Sequence, residues 1–154
     1  MYTIIDVLDK LIDIEKKAYT SYVKAMDVKN IPQSVKTVIQ VLAREEKRHI
    51  QLYKSIKEEV KDKEGLDIDF ESYDKISKPL SDFSKWIVSI EFDNVSNLLQ
   101  YAVDLEKKHL ALAITIQGIL VKNLEDETTI AYRVLTELIE NGNKHIDNLE
   151  KFTK

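Results

Sequence analysis

Residues 44–50 read REEKRHI and residues 140–146 read ENGNKHI. They end alike, Glu46-Lys47-Arg48-His49-Ile50 against Gly142-Asn143-Lys144-His145-Ile146, but one has a carboxylate three residues before its histidine and the other a glycine. Both lie in stretches whose apolar residues recur at three- and four-residue spacing, the signature of amphipathic helix. On a helix, residues three apart share a face, one turn from each other. Whether these polar residues face the core or the solvent therefore decides what kind of helical protein this is.

The surrounding pattern places them on the apolar face. In the second of four periodic blocks the run Leu42, Glu46, His49, Tyr53, Ile56 carries a glutamate and a histidine along one stripe. The first block carries Glu15 within Leu8, Leu11, Ile12, Tyr19, Tyr22. The third carries Glu106 and His109 between Ala102 and Ala113, and the fourth carries Gly142 and His145 between Leu138 and Leu149. Each polar position lies near the middle of its block. In a bundle of similar-length helices, midpoints meet at one level whichever way each helix runs. Three carboxylates and all three histidines of the chain are thus expected in one central layer. Buried charge is costly unless it is paired or coordinates a metal, so the layer needs cations, protons or a closed hydrogen-bond network.

A single Glu-x-x-His is weak evidence, because most examples on helices are solvated. Glu45 shows the ordinary case: it neighbours Glu46 but lies off the stripe, and reads as a surface acid. His109 alone could equally be a satisfied core histidine, and Glu15 alone a salt-bridge partner at the stripe's edge. The joint placement at matched depth on four blocks is what points to a metal site. A further echo, Asp13-Ile14-Glu15-Lys16-Lys17 against Asp104-Leu105-Glu106-Lys107-Lys108, makes the chain read as two related hairpins.

The blocks predict helices over about 3–29, 32–63, 94–122 and 127–153. Thr3-x-x-Asp6 has the form of a capping box, Pro32 suits a helix start, Gly65 suits a helix end, and Asp93 or Asn94 and Asp126 suit N-caps. The joints within each hairpin are short. Residues 66–92, with Pro79, Phe83, Trp86 and Phe92, form a long join that could run the full length of a helix, with a short helix near 80–90, as a cover or a dimer contact. The expected fold is an all-α four-helix bundle in a single domain over 1–154, two antiparallel hairpins joined by a long crossover.

Composition narrows the function classes. Three glycines and two prolines in 154 residues suit an all-helical protein. The absence of cysteine excludes disulfides and thiolate metal centres. A net charge of −4 offers no basic stripe for nucleic acid. No window is apolar enough to span a membrane, and acids interrupt the N-terminal apolar run, so the chain reads as cytoplasmic.

Glu15, then Glu46-x-x-His49, then Glu106, then His145 on successive helices resembles the ferritin-like di-iron carboxylate proteins, and among them the rubrerythrin group. The resemblance covers nearly the whole chain. It implies an iron centre of one or two ions held by Glu15, Glu46, His49, Glu106 and His145, with peroxide reduction or ferroxidation as the chemistry, an external electron donor protein and a homodimer. Two departures stand out. Gly142 replaces the fourth-helix glutamate, and His109 stands where rubrerythrins often carry a movable glutamate. Without cysteines no rubredoxin-like module is expected, and with the sequence ending at Lys154 no fifth ferritin helix is expected either.

Losing one carboxylate leaves a dinuclear ferrous site with net positive charge, or favours a single ion. His109 could supply the missing ligand, and a nitrogen-rich set also suits zinc or another divalent metal. Two readings follow. In one, Glu15, Glu46, His49, Glu106, His109 and His145 bind metal with an open position near Gly142. In the other, the site is degenerate, no metal binds, and the bundle is a non-catalytic structural or interaction protein. Tyr19, Tyr22 and Tyr53 lie near the ligand positions and read mainly as core tyrosines.

Overall fold

The computed structural model describes residues 2–87, 94–122 and 127–151. They form five helices and one two-stranded antiparallel pairing. Helix α1 (Ile4–Met26) starts at a full capping box: Thr3 Oγ1 accepts from the Ile5 amide, and Asp6 accepts from the Thr3 amide at 2.8 Å. These bonds satisfy donors that a helix start leaves open. Asn30, at φ 63°, turns the chain, a backbone region that asparagine tolerates better than most residues. Pro32 then leads into α2 (Gln33–Val60).

α1 and α2 run antiparallel, because Asp9 near the start of α1 meets Lys57 near the end of α2 at 2.6 Å, while Glu15 faces His49. Helices α4 (Val95–Leu120) and α5 (Ile130–Glu150) form the second antiparallel pair. Here Gln117 bonds Thr136 at 2.7 Å and Lys107 pairs with Glu150 at 3.0 Å. Asn94 caps α4 as its sequence position suggests. α5 is capped by Thr129; Asp126, the expected cap, lies outside the described residues, as do Asp93, Phe92 and Phe152. Glu46 lies beside Glu106 and Tyr53 beside His109. Sequence numbers rise together across that contact, so α2 and α4 run parallel.

The join between α2 and α4 holds more structure than its sequence suggests. Gly65, at φ 78°, opens it, and strand β2 (Asp67–Ile68) pairs with β1 (Tyr2–Thr3). α3 (Phe70–Trp86) follows, capped by Asp69 through the Ser72 amide. It begins well before the expected short helix near 80–90 and runs through Pro79. An interior proline costs a helix about 3 kcal/mol; burial of Ile76, Leu80 and Phe83 on one face supplies the offsetting energy. α3 lies against α4 and α1, and Lys17 Nζ donates to the Ser84 carbonyl. The crossover therefore acts as a cover over the helix pairs.

The apolar core runs the length of the helices. Leu8 and Leu11 of α1, Ile39 of α2, Leu98 and Ile116 of α4 and Leu135 of α5 are completely or almost completely buried. α5 departs from its expected stripe. Gly142 and His145 are half-buried, and Ile146 takes the buried position at that level. Among the described residues no helix is long and apolar enough to cross a membrane.

Candidate metal centre

The core is interrupted at one level. Among the described residues, Glu15, Glu46, His49, Glu106 and His109 are the buried carboxylates and imidazoles, each at most 9% exposed. Each reaches that level from the middle of its own helix, as matched depth requires. His49 Nδ1 lies 3.6 Å from Glu15 Oε2 and 3.6 Å from Glu46 Oε2. His109 Nε2 lies 3.4 Å from Glu15 Oε1, and His145 Nε2 lies 3.9 Å from Glu106 Oε1. All six residues singled out in the sequence thus gather in one cluster spanning α1, α2, α4 and α5.

Three atoms at the centre lack any hydrogen-bond partner: Glu15 Oε2, Glu46 Oε2 and His49 Nδ1. A buried polar atom without a partner loses its solvation with nothing in return. Here the three face one another, with ligand atoms of the three residues all within 4.8 Å. Two carboxylate oxygens and one imidazole nitrogen are a donor set that iron or zinc accepts. The residues present therefore fit a metal ion on the evidence of these orphaned atoms.

Electrostatics describe what the cluster does without one. Burial, reinforced by the negative charge of Glu15, pushes Glu46 up to about 8. Burial, with Glu46 alongside, pushes Glu106 to about 8. For His49 burial works the other way, but the facing carboxylates Glu15 and Glu46 outweigh it and hold the imidazole at about 11. Burial lowers His109 to about 4, and burial together with the nearby positive charge of His49 lowers His145 to about 4. Near neutral pH the cluster thus keeps protons on Glu46, Glu106 and His49. A bound cation would replace them.

Neighbouring groups fix the ligand candidates. Tyr53 Oη lies 3.2 Å from His109 Nε2 and 3.3 Å from its Nδ1, and the Phe83 ring of α3 closes over the same imidazole at 6.0 Å between centres. Tyr53 thus has a specific partner in the cluster. Tyr22 packs edge-on to Tyr101, and Tyr19 lies under Lys47, so these two serve the packing.

The sequence places an open position near Gly142. A Cβ there would stand 3.4 Å from Leu110 Cδ1, so the leucine next to His109 occupies the adjacent space. An opening lies between α2 and α5, beside Asn141, the neighbour of Gly142. A cleft of about 320 Å³ there is lined by Glu45, Arg48, His49, Asn141, Lys144 and His145, among others. Glu45 is the residue that the stripe reading missed. Its side chain is only 29% exposed, and with His49 and His145 it forms a second trio of ligand atoms within 4.8 Å of one another. The available signal was its four-residue spacing from His49, which also shares a helix face.

Comparison of the chain with protein-family models, curated proteins and solved structures finds no match.

Proposed function

We propose that this chain is a ferritin-like four-helix bundle of the rubrerythrin type that binds iron in its core and uses it to reduce peroxide or oxidise ferrous ion. The observation that carries this reading is the set of three orphaned buried atoms, Glu15 Oε2, Glu46 Oε2 and His49 Nδ1, facing one another at mid-helix depth. Two antiparallel pairs with α2 parallel to α4 support the fold assignment.

Each residue has a task in this account. Glu15, Glu46 and His49 hold the ion, and Glu106 and His145 complete the ring from α4 and α5. Iron supplies the exchange of electrons with an oxidant. His109 offers a neutral imidazole whose ring is fixed by Tyr53 Oη. Phe83 packs against the His109 ring, and the Glu45–His145 cleft, which His49 also lines, gives small oxidants an approach. In this account the reducing equivalents come from an external donor protein.

Stopped-flow mixing of the ferrous-loaded protein with hydrogen peroxide tests this function. Oxidation much faster than that of ferrous ion in the same buffer supports it, and oxidation at the buffer rate overturns it.

A further inference from the structure

His49 has a nitrogen on each side of a boundary. Nδ1 faces the buried carboxylates, and Nε2 faces outward to His145 Nδ1 at 3.2 Å. That second nitrogen pair opens on the α2/α5 cleft, beside the carboxylate of Glu45. We infer that Glu45, His49 Nε2 and His145 Nδ1 form a second, solvent-accessible metal site that takes one zinc-class divalent cation, distinct from the buried iron site.

The ring geometry leaves room for a shared ion in place of a straight hydrogen bond between imidazoles. The ring centres are 4.6 Å apart and the planes are inclined at 67°. The centres exceed the nitrogen separation by only 4.6 − 3.2 = 1.4 Å, well short of the two ring radii that a straight N–H···N bond adds. The two nitrogens therefore do not point straight at each other along the line between the rings. Two imidazole nitrogens on a tetrahedral zinc, each about 2.0–2.1 Å from it, stand little more than 3 Å apart, close to the spacing seen.

The third ligand and the supporting contacts are also in place. Glu45 Oε1 accepts a hydrogen bond from Arg48 at 2.9 Å, which fixes the carboxylate and leaves its other oxygen for the ion. Three protein ligands and a cleft make a site with one open position, the arrangement of accessible zinc sites. An imidazole ligating through Nε2 carries its proton on Nδ1, and there Nδ1 faces Glu15 Oε2 and Glu46 Oε2, each at 3.6 Å. At 3.6 Å neither carboxylate accepts from Nδ1 in this structure; one of them closing in would give the carboxylate, histidine and metal series that supports a metal-bound histidine. Two nitrogens and one oxygen, with imidazole dominant, favour zinc, copper or nickel over magnesium or calcium.

A neutral His49 serves one side at a time. An ion on Nε2 fixes the proton on Nδ1 and removes that atom from the buried donor set, and His145 is shared as well, so the two sites compete.

Zinc titration by calorimetry of the full chain and two variants, paired with anaerobic ferrous titration, tests the outer site. Glu45→Ala should weaken zinc binding by about tenfold or more and leave ferrous affinity unchanged. Glu106→Gln should weaken ferrous binding and spare zinc. Nitrogen-15 NMR of the zinc-loaded protein should show His49 with its proton on Nδ1. Unchanged zinc affinity in Glu45→Ala overturns the site, as does an equal loss of zinc in Glu106→Gln. Zinc binding that depends on Glu45, in a protein that takes no ferrous ion, upholds the outer site and removes the iron function.

Discussion

His49 Nε2 lies 3.2 Å from Nδ1 of His145, a residue ninety-six positions later in the chain. The contact joins the second helix of one hairpin to the last helix of the other. It places the two His-Ile endings quoted at the outset against each other at the level of the buried carboxylates. With glycine at 142, His145 has no carboxylate three residues before it on its own helix, and its ring lies near His49 and Glu106.

Adjacent acids should separate the two sites. Glu46→Ala removes a carboxylate 2% exposed at the centre and should cost ferrous binding about tenfold or more. Glu45→Ala should leave ferrous binding within experimental error. Anaerobic ferrous titration of the two variants checks this. Equal losses would show that the burial of Glu46 has no bearing on iron.

Gly142→Ala should stabilise the protein. A glycine inside a helix costs about 1 kcal/mol relative to alanine, and the added Cβ would meet Leu110 Cδ1 at an ordinary 3.4 Å contact distance. A gain of that size raises the thermal midpoint by about 2–4 °C in a chain of this length. Differential scanning calorimetry reads it directly. A fall in midpoint would mean that α5 and α4 approach more closely than the Leu110 contact indicates.

The metal-free protein should lose stability as pH rises from about 6.5 to 8. Glu46 and Glu106 are raised from 4.5 to about 8, and His49 from 6.5 to about 11. Each contributes stability that is complete below its unfolded pKa and lost as pH climbs through its folded one. His109 and His145, lowered from 6.5 to about 4, contribute stability present above 6.5 and lost as pH falls toward 4. Between about 4.5 and 6.5 the two carboxyl losses and the two imidazole gains offset. Above 6.5 only the losses continue. Metal binding reverses the trend, because the ion displaces those protons and binds better as they leave. Thermal melts in chelator and in saturating metal should therefore slope in opposite directions over pH 6.5–8. Parallel slopes would contradict the account.

Much of this architecture is legible in the sequence because its signals are local. Periodicity gives α1, α2, α4 and α5, and Thr3 and Asn94 cap helices where their side chains suit it. The convergence of Glu15, Glu46, His49, Glu106 and His109 follows from stripe and depth alone. The rest depends on tertiary packing. Pro79 argues locally against a helix, and only burial of Ile76, Leu80 and Phe83 against the neighbouring helices overrides it. A two-residue strand at Asp67–Ile68 carries no sequence signal and exists because Tyr2–Thr3 lies beside it. Glu45 reads as a surface acid because a stripe assigns one face per helix. The cleft it lines forms only when α5 comes to rest beside α2.

Tyr53→Phe should separate support from ligation. The hydroxyl lies 3.2 Å from His109 Nε2 in a fully buried setting, so its loss should cost about 1–3 kcal/mol of stability. If His109 joins the ion, ferrous affinity should fall as well. Urea unfolding and ferrous titration of the variant give the two values. A stability loss with unchanged affinity would place His109 outside the binding set.

Metal content tests the central claim most directly. The protein, purified without a histidine tag, is incubated anaerobically with excess ferrous ion, desalted and analysed for iron. One or two irons retained per chain, and none in a Glu15→Ala, Glu46→Ala double variant that still folds, is the result predicted for a buried iron centre. Iron-free protein after loading, or equal retention by the double variant, would contradict it.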